Sequence, residues 1–392
     1  MLRVVQSPID PAFVQNPYPF YDRLRQAGDL VWWEDYAMPC AVSYAAVHAL
    51  FRDRRFGREV PPEQAVTPPA YLKPFYDVEA HSMLELEPPR HTRLRGLVLR
   101  AFTSRRIKAL APEIAALAHA RIDQFPVNQP FDLLPAYCQP IPVIVIARLL
   151  GVPDEMADQL LRWSNAMVAM YQAGRSHETE VRAAKAATEF TTFLRDYIDR
   201  RRAKPADDLI THLIAAEEHG KKLSTEELIT TCILLLNAGH EATVHTLGNG
   251  VKTLLNHAIT ISTETADLTC EEILRFDPPL HMFTRYAYEE VDAFGHTFRR
   301  GDQVALLLAA ANRDPAQWED PNQFNPTRAI TQNTSFGGGL HFCVGAPLAR
   351  LEMQIALPIL FDRCPSLSIA EPPVFADSYH FHGLERLMVT TA

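Results

Sequence analysis

Glycine is scarce in this chain, 16 of 392 residues or about 4% against a usual ~7%. Cysteine is sparse as well. The six are Cys40, Cys138, Cys232, Cys270, Cys343 and Cys364, and no two stand at C-x-x-C spacing, which argues against a zinc ribbon or a thioredoxin-like site. No run approaches the ~18 apolar residues of a bilayer-spanning helix. The longest candidate, at 233–236, is soon interrupted by Asn237, His240 and Glu241, so no membrane anchor is expected. A cationic excess is also missing. Lys+Arg number 38 against 47 Asp+Glu, a net charge of −9, which argues against nucleic acid as a partner. The opening residues lack the cationic and apolar regions of a signal peptide, so the expected location is the cytoplasm.

What is present is an ordinary globular balance, 47% hydrophobic and 22% charged, with 30 prolines. Apolar residues recur at helical spacing over 104–125, with Ser104 as the expected N-cap, and over 141–150, 154–171 and 178–202. Strand signals are few and local, at 31–33, 41–43, 291–298 and 304–308. The expected fold class is mostly α with a small β region (α+β). The proline-rich stretch 61–74 reads as a domain boundary or as a loop packed over a core.

The segment 224–257 predicts one helix of about 45–50 Å at about 1.5 Å per residue. Ser224 and Glu227 stand at capping-box spacing. Its middle reads Asn237-Ala238-Gly239-His240-Glu241-Ala242-Thr243. A glycine halfway along a helix costs about 1 kcal/mol, and such a locally unfavourable choice often marks function.

Ser335-Phe336-Gly337-Gly338-Gly339-Leu340-His341-Phe342-Cys343-Val344-Gly345 precedes a helical stretch at 348–357, which puts Cys343 near a helix N-terminus. Unpaired N–H groups there favour a thiolate. Taken alone, the cysteine has three readings: a buried structural thiol, a nucleophile with a histidine base, or a single-thiolate ligand of the kind a haem iron takes. The full pattern decides. Phe336-x-x-Gly339-x-His341-x-Cys343-x-Gly345 resembles the haem-binding signature of the cytochrome P450 family. Further motifs fall in that family's order: Pro89-Arg90-His91-Thr92-Arg93-Leu94-Arg95, Ala238-Gly239-x-Glu241, Glu272-x-x-Arg275, Phe283-Thr284-Arg285, and the run 320–328 ending in Arg328.

The resemblance implies a single domain over 1–392, a triangular helical fold with a long central helix over haem b, and O2 as co-substrate. Cys343 is then the axial ligand of the haem iron, with Phe336 against the sulfur. His91, Arg95, Arg285 and His341 match the family's propionate-binding positions, and Ala238 is expected at the cofactor. Glu272, Arg275 and Arg328 are assigned to folding. Gly239, Glu241 and Thr243 are the catalytic candidates: Gly239 leaves room for dioxygen and Glu241 relays protons. Most relatives carry a threonine directly after the acid, where this chain has Ala242. Thr243 lies about 100° further round the helix and cannot simply substitute, and Thr246 lies a turn farther along. A substrate hydroxyl or an ordered water is expected in place of the missing hydroxyl. The segment between His257 and Glu271 looks shorter than is common in the family and lacks the usual proline, so a shortened helix is expected there.

Met83, Leu84, Leu280, Met282, Phe283, Tyr379 and Phe381 are expected to face a small apolar organic substrate. The implied reaction is monooxygenation by a monomer, with electrons from NAD(P)H through a ferredoxin and its reductase. Arg100, Arg105, Arg106 and Lys108 are candidates for the ferredoxin's docking face. A peroxide-driven or non-oxygenating haem-thiolate enzyme is the alternative. A zinc hydrolase is the remote one: His240-Glu241-Ala242-Thr243-Val244-His245 is a zinc-protease motif with one residue too many, so its histidines diverge by about 140°.

Overall fold

The computed structural model describes residues 1–172, 174–218 and 220–391. Helices dominate and the strands are short, as the patterning predicts. Two compact units alternate along the chain: Met1–Gln64, Ile114–Gln139 and Ala242–Ala392 form the first, Ala65–Glu113 and Pro140–Glu241 the second. One boundary falls inside the proline-rich stretch 61–74. The rest of that stretch forms short 3-10 turns at Pro62–Gln64 and Ala70–Leu72 before a helix at Lys73–Glu79.

The first unit is built on a six-stranded sheet. Leu2–Val4 runs parallel to Leu30–Trp33, which pairs antiparallel with Met38–Ala41. Met38–Ala41 runs parallel to Gln303–Leu307, then Met282–Ala287 and Phe56–Gly57 follow antiparallel. Alternation along Gln303–Leu307 feeds two cores. Ala305 and Leu307 join Phe13, Tyr21, Trp33 and Met282 on one face. Leu306 and Val304 join Ala41, Leu50 and Phe51 on the other. The strand expected at 41–43 ends at Ala41, because Ser43 caps the helix Tyr44–Arg52 by accepting the Ala46 N–H at 3.1 Å. The strand expected at 291–298 is a hairpin, Val291–Ala293 with His296–Phe298, turned by Phe294 and Gly295 at positive φ.

The second unit is helical among the described residues, apart from two paired two-residue strands, Glu217–Glu218 and Lys221–Lys222. His177–Ala203 packs on Ala157–Val168, where Trp163 and Phe190 stack at 5.1 Å. The helix expected over 104–125 is broken into Ser104–Ala109 and Ala111–Ile122. Pro112 explains the break, since it lacks an N–H and restricts the residue before it. The first piece is capped by Thr103, not Ser104.

The long helix runs over Thr225–Asn256, 32 residues. Its capping box forms: Ser224 N–H donates to Glu227 at 2.9 Å and Glu227 N–H to Ser224 Oγ at 3.2 Å. Between His257 and Glu271 the only helix among the described residues is the first turn or so of Ala266–Phe276. Turns containing Ala258 at φ 52 lead directly to the helix Ala266–Phe276.

Candidate functional site

Cys343 is the one exposed cysteine of the six. Burial raises the Cys40, Cys138 and Cys270 thiols far above their usual range and Cys232 to about 12, so those behave as small apolar side chains. The loop bearing Cys343 is fixed at both ends. Ser335 Oγ donates to the Leu274 carbonyl at 2.6 Å and accepts from Asn312 at 2.8 Å. Cys343 N–H donates to the Phe336 carbonyl at 3.0 Å, and the helix Ala346–Arg363 starts three residues later. Gly339 has no substitute here: its φ is +64 and a Cβ would lie 2.1 Å from the Phe51 carbonyl oxygen. The helix runs through Pro358, beyond the 348–357 expected.

In the same unit, Arg285 is 2% exposed, donates to the Thr284 carbonyl at 2.8 Å and lies 5.1 Å from the Phe51 ring centre. His341 is half-buried in the turn Gly339–His341. An accessible thiol on a rigid glycine loop, with a buried guanidinium in the same unit, is a donor set that fits an iron porphyrin carrying anionic propionates. Phe283 packs near this loop, 3.6 Å from where a Cβ on Gly337 would stand. Leu280 bridges to Phe381. Met282 departs from the expectation: strand alternation turns it away from Phe283 into the core with Tyr21 and Trp33. Tyr379 departs likewise, buried and accepting the Tyr21 hydroxyl at 2.9 Å.

The second unit holds His91, 1% exposed on the helix Arg90–Ala101, with Arg95 a turn later, and Met83 and Leu84 in the preceding turn. It also holds Ala238, Gly239 and Glu241. A Cβ on Gly239 would stand 3.1 Å from Ile146, so close helix packing is a physical reason for this glycine. Thr243 follows four residues later on that same strip and is 4% exposed. Thr246 donates back to the Ala242 carbonyl at 2.7 Å. Ala238, Glu241, Ala242 and His245 form a more open strip. Thr243 is buried on the packed strip and not on the open one. Among the docking candidates, Arg106 is engaged by His212 at 2.5 Å and lies 3.6 Å from Asp207, while Arg100, Arg105 and Lys108 are exposed.

The zinc-like pair does not converge. His240 Nδ1 lies 2.7 Å from the Leu236 carbonyl, and His245 packs against Gly383. Among the described residues, the one cluster with metal-ligand geometry is Asp277, His281 and His382, their ligand atoms within 4.8 Å. Lys252 Nζ already sits 2.7 Å from Asp277, and the buried Arg313 is sandwiched between Tyr18 at 3.4 Å and Phe276 at 3.8 Å. The carboxylate's charge is thus compensated, and a divalent cation would add to an excess of positive charge. Burial opposes ionisation of Asp277, but Lys252, His382 and Arg313 together outweigh it and hold the carboxyl well below its usual range. Sequence reasoning missed this network, and with it Glu271, Arg350 and Gly383.

The ordered Glu272–Arg275–Arg328 set does form, behind the Cys343 loop and within the first unit. Arg275 meets both oxygens of Glu272 at 2.7 Å and Arg328 approaches the same carboxylate at 3.3 Å. Comparison with known proteins gives the family of the chain. The family described as Cytochrome P450 matches residues 62–260 and 264–371. The biotin biosynthesis cytochrome P450 of Bacillus subtilis (strain 168) is 35% identical, covering 99% of this chain and 100% of its own. The vitamin D(3) 25-hydroxylase of Pseudonocardia autotrophica is 37% identical over 96% and 94% of the two chains. The crystal structure of P450BioI with a hexadec-9Z-enoic acid-ligated acyl carrier protein superposes with a TM-score of 0.91 at 34% identity, covering 97% of this chain and 99% of that one. An exposed thiol on a glycine-locked loop, the buried Glu-x-x-Arg pair and these full-length matches make this chain a member of the cytochrome P450 monooxygenases.

Proposed function

We propose that the chain holds haem b through Cys343 and inserts one atom of O2 into a C–H or C=C bond of a small apolar organic substrate, the other atom leaving as water. Electrons come from NAD(P)H through a ferredoxin and its reductase. The observation that carries this is the accessibility of Cys343 on a loop where only glycine fits at 339. Bound haem supplies the one-electron and oxygen chemistry. The chain's own residues do the rest. The Cys343 thiolate donates electron density, Phe336 keeps water from the sulfur, and His91, Arg95, Arg285 and His341 balance the propionate charges. Ala238 leaves the open strip of the long helix low, and Glu241 holds and passes protons at its carboxylate. With Thr243 and Thr246 both buried, a substrate hydroxyl or an ordered water completes the proton path at Ala242. Arg100, Arg105 and Lys108 are the exposed candidates for contact with the ferredoxin.

Met83, Leu84, Leu280, Phe283 and Phe381 are the apolar side chains proposed to meet the substrate, and their chemistry suits a fatty acid, terpenoid, steroid or polyketide-like molecule. The family match runs through both compact units, which supports treating residues 1–392 as one working domain. A cytoplasmic monomer is part of the same proposal. The test is the carbon-monoxide spectrum of the reduced protein. We expect the red-shifted Soret band of thiolate ligation, lost in Cys343→Ser. An unshifted band in the parent overturns the reading. Ala242 favours one second reading, a peroxide-driven or non-oxygenating enzyme. Turnover with hydrogen peroxide but not with ferredoxin and NAD(P)H would select it.

A further inference from the structure

Two adjacent acids on the helix Ala266–Phe276 point to different partners. Glu272 serves the buried pair with Arg275, whereas Glu271 binds Arg350 of the cysteine helix. The Glu271–Arg350 contact is bidentate, one arm through Arg350 Nε and the other through Nη2 at 3.2 Å. Glu271 also accepts from Asn333 Nδ2 at 3.4 Å, and Asn333 in turn accepts the Ser335 N–H at 3.1 Å. The acid is therefore tied to both the cysteine helix and the entry to the cysteine loop. Arg350 lies about one turn into the helix Ala346–Arg363, seven residues after Cys343, and its guanidinium stands 4.5 Å from the centre of the Phe336 ring. Phe336 is the residue whose carbonyl receives the Cys343 N–H.

This arrangement has two physical consequences. A cation on a ring face is attracted to it, so Arg350 fixes the orientation of Phe336. The charge of Arg350 also lies beside the residue whose carbonyl receives the Cys343 N–H, and Glu271 compensates it. The pair is partly shielded from water, with 30% of the Arg350 side chain and 14% of the Glu271 side chain exposed. Solvent screening weakens its field without abolishing it.

We propose that the Glu271–Arg350 pair sets the reduction potential of the Cys343-ligated haem through the charges it holds beside Phe336. The inference rests on the haem-thiolate reading above. Reduction adds one electron from a low-potential one-electron donor and changes no bond of the protein. A positive charge nearby favours the added electron and a negative charge opposes it. Removing Arg350 leaves Glu271 uncompensated and lowers the potential. Removing the charge of Glu271 leaves Arg350 uncompensated and raises it.

The test is a spectroelectrochemical titration of the purified holoenzyme in Arg350→Gln, Glu271→Gln, the double variant and Arg350→Lys. The expected shifts in the one-electron equilibrium are about three- to tenfold, the upper end being about 59 mV. They are opposite in sign for the two single substitutions. The double variant and Arg350→Lys should fall within about twofold of the parent, since both keep the net charge. A purely structural contact would loosen Phe336 in both single variants and move both potentials the same way. That result, or two shifts below twofold, overturns the proposal. The carbon-monoxide spectrum of each variant separates the two failures, because loss of the thiolate band in the parent sinks the haem-thiolate reading instead.

Discussion

The imidazole of His245 occupies the space where a side chain on Gly383 would stand. A Cβ there would lie 1.8 Å from His245 Nδ1. Gly383 is two residues past Phe381, whose ring centre is 6.2 Å from that of His245. Substituting Gly383 by Ala therefore forces the histidine or the turn to move. We expect Gly383→Ala to destabilise the protein by about 1–3 kcal/mol, the usual cost of overpacking. Thermal unfolding measures this. His245→Ala in the same chain should return most of the loss, because the two residues share one contact.

The Glu272–Arg275 pair lies in a dry place, with the two residues 3% and 2% exposed. Arg275 also donates to the Asn312 and Pro321 carbonyls, both at 2.9 Å, and the Asn325 N–H donates to Glu272 at 2.9 Å. Removing Glu272 leaves Arg275 a buried uncompensated charge, and removing Arg275 leaves Glu272 with Arg328 alone. Glu272→Gln and Arg275→Met should each cost about 3–5 kcal/mol in urea unfolding. The double substitution should cost less than their sum.

Acid should weaken the fold through the cluster under residues 381–383. Burial depresses the His382 imidazole from its usual 6.5 to about 4, against the pull of Asp277, and His281 is likewise held low by burial. The folded protein thus binds fewer protons than the unfolded chain between those values. The His382 contribution is complete above pH 6.5 and is lost as pH falls through about 4. Its size is on the order of 3 kcal/mol, taking about 1.4 kcal/mol per unit. Denaturant midpoints measured from pH 7 to pH 4 should fall, and His382→Phe should flatten that fall.

Restoring a threonine at position 242 tests proton delivery. If a substrate hydroxyl or ordered water completes the path, Ala242→Thr should leave the coupling of electrons to product unchanged or lower it. A strong rise in coupling, measured as product formed per NAD(P)H consumed, counts against a substrate-supplied path.

Much of the site was legible in the sequence because its groups are tied to local pattern. The Gly-rich run marked Cys343, the capping box marked the start of the long helix, and Glu272 and Arg275 meet because three residues make one turn. What stayed hidden depends on distant packing. Met282 and Phe283 look alike in sequence, and only the sheet register decides that Met282 enters the core. Gly239 suggests an oxygen cleft when read from its motif, but Ile146, 93 residues earlier, supplies a packing reason for it. The break near Leu110 was visible in Pro112, and the apolar periodicity running across it concealed it.

The central sheet joins Met38–Ala41 directly to Gln303–Leu307. About 260 residues separate these neighbours, so at roughly 5–20 residues per second the ribosome makes the first strand tens of seconds before its partner. During that interval one edge of Met38–Ala41 has no strand to pair with, and unpaired edges invite association between chains. Slow translation or crowded expression therefore burdens the N-terminal strands first. Lower growth temperature or extra chaperone during synthesis should raise the soluble yield more than any change near Cys343.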